Sequence, residues 1–194
     1  DQLEEYRQVE SSMRATLLAA QKMANDMIAE AETKRDAIKA EADAHKAIEE
    51  APYLAENHIS LAEIYAATRR DSLALSSFQR AISIDTLAIE PWLALAEYYQ
   101  KRDDKASYLS TLERIFSSDQ LPLKGKLEEW KALSNDMNAY RKFYPQYDAL
   151  IKRLYIRNPE SKEVAVLYAQ HLIVSGEVEE ALALCKRLID HKKP

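Results

Sequence analysis

From Leu3 onward, alternating steps of three and four residues land on Leu3, Tyr6, Glu10, Met13, Leu17, Ala20, Ala24, Met27, Ala31, Lys34, Ile38 and Glu41. Most of these are apolar, and the spacing is that of one stripe down an α-helix, thinning towards its end. A stripe of Ala and Met packs closely but buries less area per turn than Leu or Ile, so a single copy of this helix is marginal in water. It therefore needs a helix against it, supplied either by a second copy or by the same chain folding back. Nothing before Pro52 breaks a helix, and one continuous helix is predicted from near Leu3 to Ala51. Flanking pairs such as Glu30/Lys34 and Glu32/Arg35 are ordinary solvated charges.

A different pattern begins at His58. His58, Leu61, Ala62 and Tyr65 recur 34 residues later as Trp92, Leu95, Ala96 and Tyr99. Between them, Ala74, Phe78 and Ala81 mark a second helix. Small residues at Ala62, Ala74 and Ala96 allow helices to approach closely, while Leu61, Tyr65, Phe78, Leu95 and Tyr99 fill the space between them. Trp130, Leu133, Ser134 and Met137 repeat the first-helix pattern 38 residues after Trp92, so four extra residues lie in the connection around Ser117 to Leu123. The second helix of this unit is predicted from about Ala139 to Ile156, bent or broken near Pro145 and ending at Asn158-Pro159. A last unit carries Ala165, Tyr168, Ala169 and Leu172, a left-handed turn at Gly176, then Ala181, Cys185 and Leu188. Upstream, Ala40, Ala44, Ala47 and Pro52 have the spacing of a second helix preceding the first full pair.

Composition divides the chain at the same place. Residues 1–44 hold one aromatic, Tyr6, and no Pro or Gly, whereas the rest holds all six prolines and both tryptophans. That division fits a natural joining of two ancestries or an engineered one. Hydrophobic residues make up 47%, enough for a core, and the only glycines are Gly125 and Gly176, which argues against strand-rich folds that need Gly at many turns. The expected fold is all-α, a coiled-coil-like helix running into stacked helix pairs. A net charge of −5 with mixed signs gives no basic field for nucleic acid, and no run reaches the ~20 apolar residues of a membrane span. The single cysteine, Cys185, excludes an intrachain disulfide and reads as a small core residue. The N-terminus lacks a signal-peptide layout, which points to the cytoplasm. Opening on Asp1 rather than Met leaves room for a preceding leader, anchor or domain, and with a removed leader the compartment would be periplasmic.

The 34-residue register, with W-x2-L-A-x2-Y at Trp92 to Tyr99 and A-x3-F at Ala74 to Phe78, resembles the tetratricopeptide repeat. The resemblance implies an α-α superhelix over 45–194, divided at about 55–88, 89–120, 121–160 and 161–194, with 40–52 as a preceding half repeat. The segment Leu3-Glu-Glu-Tyr6-Arg, Leu17-Leu-Ala-Ala-Gln21-Lys-Met-Ala-Asn25 and Ile28-Ala-Glu-Ala31-Glu resembles the coiled coil of the DivIVA family of bacterial cell-pole and division-site proteins. There the coil oligomerises and a preceding domain contacts the membrane. Only the homo-oligomer role is implied here, through residues 1–44. The resemblance also implies an alternative function, a structural or adaptor part of bacterial division or envelope machinery.

No catalytic constellation is legible. His45, His58, His171 and His191 form no HExxH and have no thiolate companions, so no metal or other cofactor is expected. His58 stands at an aromatic packing position. Tyr140, Tyr144, Tyr147 and Tyr155 gather around Pro145, as core packing of a bent helix or as a ligand platform. In stacked pairs the first helices line a concave face open to peptides or helices. The register puts Glu56, Ile59, Glu63 and Ala66 there, then Glu90, Leu93, Glu97, Gln100 and Lys101, then Val166, Gln170 and Ile173. Of these, Glu56, Ile59, Glu63, Leu93, Glu97, Gln100, Lys101 and Gln170 are the candidate partner-binding residues. Some tetratricopeptide proteins clamp a terminal carboxylate with Lys, Asn and Arg at such positions; Ile59 and Glu63 occupy two of them and disfavour that mode. The acidic groove with apolar spots suits a basic or neutral amphipathic protein segment, or a neighbouring helix that fills it. The chain thus reads as a noncatalytic protein-interaction scaffold.

Overall fold

The absence of any helix breaker before Pro52 leaves one helix, α1 (Gln2–Glu50), running 49 residues or roughly 70 Å. In the computed structural model, which describes residues 2–190, the fold is all-α with no strand among those residues. Beyond α1 the helices come in pairs: α2 (Ala55–Ala67) with α3 (Asp71–Ile84), and α4 (Glu90–Lys101) with α5 (Lys105–Ser117). Next is α6 (Leu123–Ser134), whose companion is split into α7 (Met137–Lys142) and α8 (Tyr144–Arg157), and finally α9 (Lys162–Ser175) pairs with α10 (Val178–Asp190). Each pair packs on the next in chain order. The split falls at Phe143, just ahead of Pro145, whose ring cannot sit inside a helix but is accepted in the first turn of α8.

Three of the pairs turn by the same device. Arg69, Asp103 and Gly176 adopt left-handed backbone conformations, with φ of 58°, 56° and 88°. The following N–H reaches back five residues, Arg70 to Tyr65 O (2.9 Å), Asp104 to Tyr99 O (3.0 Å) and Glu177 to Leu172 O (2.8 Å). This closes the orphan carbonyls at each helix end in a Schellman arrangement. Only Gly176 announces the turn in the sequence; Arg69 and Asp103 hold it at the steric cost of a Cβ.

The core runs through all pairs without a gap. A first cluster joins Ala44 of α1 to Leu61, Ala62, Tyr65, Ala74, Phe78, Leu95 and Tyr98. A large central one is built on Leu109, Ile115, Phe116, Trp130, Tyr147, Leu150, Ile151 and Leu154, and a third on Ala165, Ala169, Leu172, Ala181 and Leu184. Trp92 and Tyr99 pack against the first and second clusters, Tyr155 and Tyr168 against the second and third. These half-buried aromatics are the mortar between pairs.

Four expectations shift. Tyr98, not Tyr99, is the more deeply buried of the two tyrosines, with its ring 5.6 Å from Phe78. Met137 opens α7 rather than closing α6, because Asp136 caps α7 by accepting from the N–H groups of Asn138 (3.1 Å) and Ala139 (3.0 Å). Cys185 is half-buried at the edge of the third cluster. Arg35 pairs with Asp36 at 2.9 Å instead of Glu32, while Lys34 meets Glu30 at 2.7 Å as expected. The long connection between α5 and α6 is closed by a buried lysine: Lys126 Nζ donates to the carbonyls of Phe116 (2.9 Å) and Ser118 (2.5 Å), at the free end of α5. Its burial pushes its pKa down.

The C-terminal part of α1 belongs to the stack. Arg70 forks onto Glu41 through Nη1–Oε1 (3.0 Å) and Nη2–Oε2 (2.6 Å), and its guanidinium lies 4.5 Å from the centre of the Tyr65 ring. Tyr65 Oη meets His45 Nε2 at 3.2 Å, and Asn57 donates to the carbonyls of Ala47 (2.9 Å) and Ala51 (3.1 Å), capping α1. Residues 2–36, in contrast, are exposed throughout, so the apolar stripe of α1 does not fold back on the pairs.

Asp103→Gly relieves the left-handed strain while keeping the turn, and is expected to stabilise the chain by about 0.5–1 kcal/mol in urea denaturation. The hydrogen bonds from Arg70 hold the Glu41 carboxyl below its ordinary pKa of 4.5. A lowered folded-state pKa gives stability that is present above pH 4.5 and lost as pH falls through the lowered value. Amide protection across Ala44–Ile48, corrected for the intrinsic exchange rate at each pH, should therefore fall below pH 4.5, and Glu41→Gln should remove that pH dependence.

Candidate partner-binding groove

The exposed edge of α4 follows from its register: Leu95 and Ala96 turn inward, which leaves Leu93, Glu97, Gln100 and Lys101 outward. On one side of this ridge a cleft of about 340 Å³ is lined by Glu63, Ala66 and Ala67 of α2, Phe78 of α3, and Ala94, Glu97, Tyr98, Lys101 and Arg102. On the other a cleft of about 550 Å³ is lined by Leu93, Ala96, Glu97, Gln100 and Lys101, by Tyr108, Leu112, Ile115 and Phe116 of α5, and by Leu121, Gly125 and Glu129. Glu97 and Lys101 line both, so the clefts are two halves of one groove divided by α4.

Of the sequence-predicted residues, the fold brings Glu63, Leu93, Glu97, Gln100 and Lys101 together here. Glu56 and Ile59 line neither cleft; Glu56 is exposed and Ile59 packs half-buried against the first core cluster. Gln170 lies in a separate pocket of about 170 Å³ with Trp130, Ser134, Met137, Tyr140, Leu167, His171 and Val174. The predicted continuous line of eight residues is therefore five around α4 and three elsewhere.

The groove's charges are partly spoken for. Lys101 Nζ lies 2.6 Å from Glu97 Oε1, a contact that raises the lysine pKa, with Glu63 adding to the same direction. Arg102 bridges to Asp71, donates to Ala66 O at 2.8 Å and lies 5.4 Å from the Tyr98 ring centre, tying α4 to α2 across the floor. Glu129 accepts from Tyr108 Oη at 2.7 Å, and burial followed by this carboxylate pushes the phenol pKa up. The first cleft thus carries Glu63 and Glu97, the second carries Glu97 and Glu129 beside the apolar side chains of Leu93, Leu112 and Leu121, and Lys101 and Arg102 are their cations.

One polar constellation escaped sequence reasoning. His171 is buried, its Nδ1 facing Tyr140 Oη and its Nε2 lying 2.9 Å from Asp148 Oδ1, while Lys152 Nζ donates to Asp148 Oδ2 at 2.9 Å. Tyr144 and Tyr168 stack on the imidazole at 5.6 and 6.2 Å, and Trp130 meets it edge-on at 6.4 Å. Tyr140 and His171 are 31 residues apart, so no local spacing betrays the pair. Every nitrogen of the ring is engaged within the protein, and the network locks α7, α8 and α9 together. The tyrosines near Pro145 are thus core and its margin, with Tyr140 and Tyr147 buried. Among the described residues no three His, Cys, Asp or Glu side chains gather as a metal site; His191 lies outside them.

No protein-family model matches the chain, and no curated protein matches it. No helix among the described residues is long and apolar enough to cross a membrane.

His171→Leu leaves the buried Tyr140 hydroxyl without its partner and should cost about 1–3 kcal/mol in urea denaturation at an unchanged m-value. Because the network lies outside both α4 clefts, ligand binding there should be unaffected.

Proposed function

We propose that the chain is a noncatalytic protein-interaction scaffold of tetratricopeptide type, in which α1 mediates self-association and the α4 groove takes a protein segment. The observation that carries this reading is the solvent exposure of the α1 stripe. Leu3, Tyr6, Leu17 and Met27 are 68%, 78%, 70% and 69% exposed on a helix that has left the packed pairs behind. A lone helix is marginally stable in water, and its stripe gains most by lying against another copy. The recurrence of the left-handed turn at Arg69 and Asp103, 34 residues apart, supports the repeat register.

The groove supports the second half of the reading. Two adjoining clefts that set apolar side chains beside Glu63, Glu97 and Glu129 suit an amphipathic segment with basic residues flanking apolar anchors, the anchors giving affinity and the carboxylates register. The polar network around His171 supports a structural role rather than chemistry, since its members satisfy one another.

Leu17→Glu with Met27→Glu in the full chain should lower the mass measured by light scattering without loss of the packed pairs, because both side chains are exposed. An unchanged mass, or a monomeric parent, would sink the self-association role. Peptides selected from a random library on the parent chain should be rich in Lys or Arg beside apolar residues. They should lose about tenfold or more in affinity for Glu63→Lys plus Glu97→Lys; equal binding would remove the groove from the account.

A further inference from the structure

α10 carries two apolar stripes, and among the described residues only one is covered. Ala181 and Leu184 are buried against α9. Val178, Leu182, Cys185 and Ile189, spaced by four, three and four residues, form a second stripe about a quarter-turn away. Leu182 and Ile189 are 55% and 63% exposed, Val178 is exposed and Cys185 half-buried.

The repeat register tells what such positions require. Counting from the left-handed residues Asp103 and Gly176, the places of Leu182, Cys185 and Ile189 are those of Leu109, Leu112 and Phe116 in α5. All three are buried there, within the cluster that includes Leu127 and Trp130 of α6 and Leu150 and Ile151 of α8. On α10 the same face has no helix over it among the described residues.

We infer that this face pairs with the α10 of a second copy in antiparallel orientation about a two-fold axis. Charge selects that occupant and its direction. A two-fold axis at the centre of the stripe sets Val178 against Ile189 of the second copy and Leu182 against its Cys185. Glu179 and Lys186 both flank the free edge of the stripe and are exposed. In the antiparallel register Glu179 lies within about 3 Å, along the axis, of Lys186 of the second copy, and the symmetry makes this contact twice. A parallel pairing would instead put the Glu179–Lys186 edges of the two copies on opposite flanks of the seam, where the ion pairs do not form. One helix pair of this length is a modest interface, with a dissociation constant on the order of 10 µM.

This contact does not rest on the role proposed for α1, but it extends it. A chain with two self-complementary faces at opposite ends joins copies in alternation, so assembly continues beyond a dimer.

Sedimentation of the full chain at concentrations spanning about 1–200 µM tests the pairing around the expected constant. With α1 disabled by Leu17→Glu and Met27→Glu, the chain should still dimerise. Adding Leu182→Glu should abolish the dimer with the helical circular dichroism unchanged, since Leu182 contributes little to the packed core. Glu179→Lys or Lys186→Glu alone should weaken dimerisation about three- to tenfold by setting like charges together, and the two combined should restore it. A monomer at every concentration in the α1-disabled chain, a dimer indifferent to Leu182→Glu, or a double charge swap that fails to restore binding would overturn the α10 interface. A parent chain that stops at a dimer while the α1-disabled chain still dimerises would instead count against α1 and leave α10 standing.

Discussion

A helix pair with apolar residues on two faces can bury only one of them by itself. The second face waits for the next pair, and that requirement organises the whole chain. It explains why the core is continuous through Trp92, Tyr99, Tyr155 and Tyr168, which belong to two clusters each. It also explains the two ends. At the N-terminal end α1 lays Ala44 and Ile48 over the face of α2. At the C-terminal end no described helix does the same for the second stripe of α10.

Much of this was legible because the constraint repeats. Small residues at Ala62, Ala74 and Ala96 and large ones at Leu61, Phe78 and Leu95 recur in register, and periodicity is a statement about packing that needs no tertiary knowledge. What stayed hidden was non-local or carried by the wrong residue type. The left-handed turns at Arg69 and Asp103 lack the glycine that would announce them, because the hydrogen bonds of the turn and the packing of both helices over-determine the backbone. The His171 network joins residues 23 and 31 positions apart, and Lys126 reads as a surface lysine until its ammonium is seen on the carbonyls of α5. The groove was half legible: the register chose the outward positions of α4, but it could not foresee that Ile59 would be drawn into the first cluster.

Departures from the repeat are concentrated in the third unit, and each carries its own compensation. The longer connection after α5 exposes carbonyls that Lys126 closes, and Arg157 adds a contact to Ser117 O at 2.8 Å and to Asp119 at 3.0 Å. At the split the backbone of Phe143 stays paired, its N–H donating to Ala139 O (2.9 Å) and its carbonyl accepting from Gln146 (3.0 Å) and Tyr147 (3.2 Å). His171 then spans the split, bonded to Tyr140 on α7 and Asp148 on α8. In the irregular unit, polar contacts stand where the helical ladder stops.

The junction at Glu41 decides what the ends can do together. Because α1 passes from exposed stripe to packed capping helix without a break, the direction of its free part is fixed by the contacts of Ala44 and His45 with α2 and of Glu41 with Arg70. A flexible linker would let the groove adopt any orientation relative to an α1 partner; a continuous helix clamped by a forked ion pair allows bending only along its own length. The α4 groove and the exposed face of α10 are carried by helix pairs joined through the shared aromatics of one core. Any assembly through α1 therefore presents its grooves at defined angles rather than as tethered, independent sites, and binding at several grooves at once depends on that geometry.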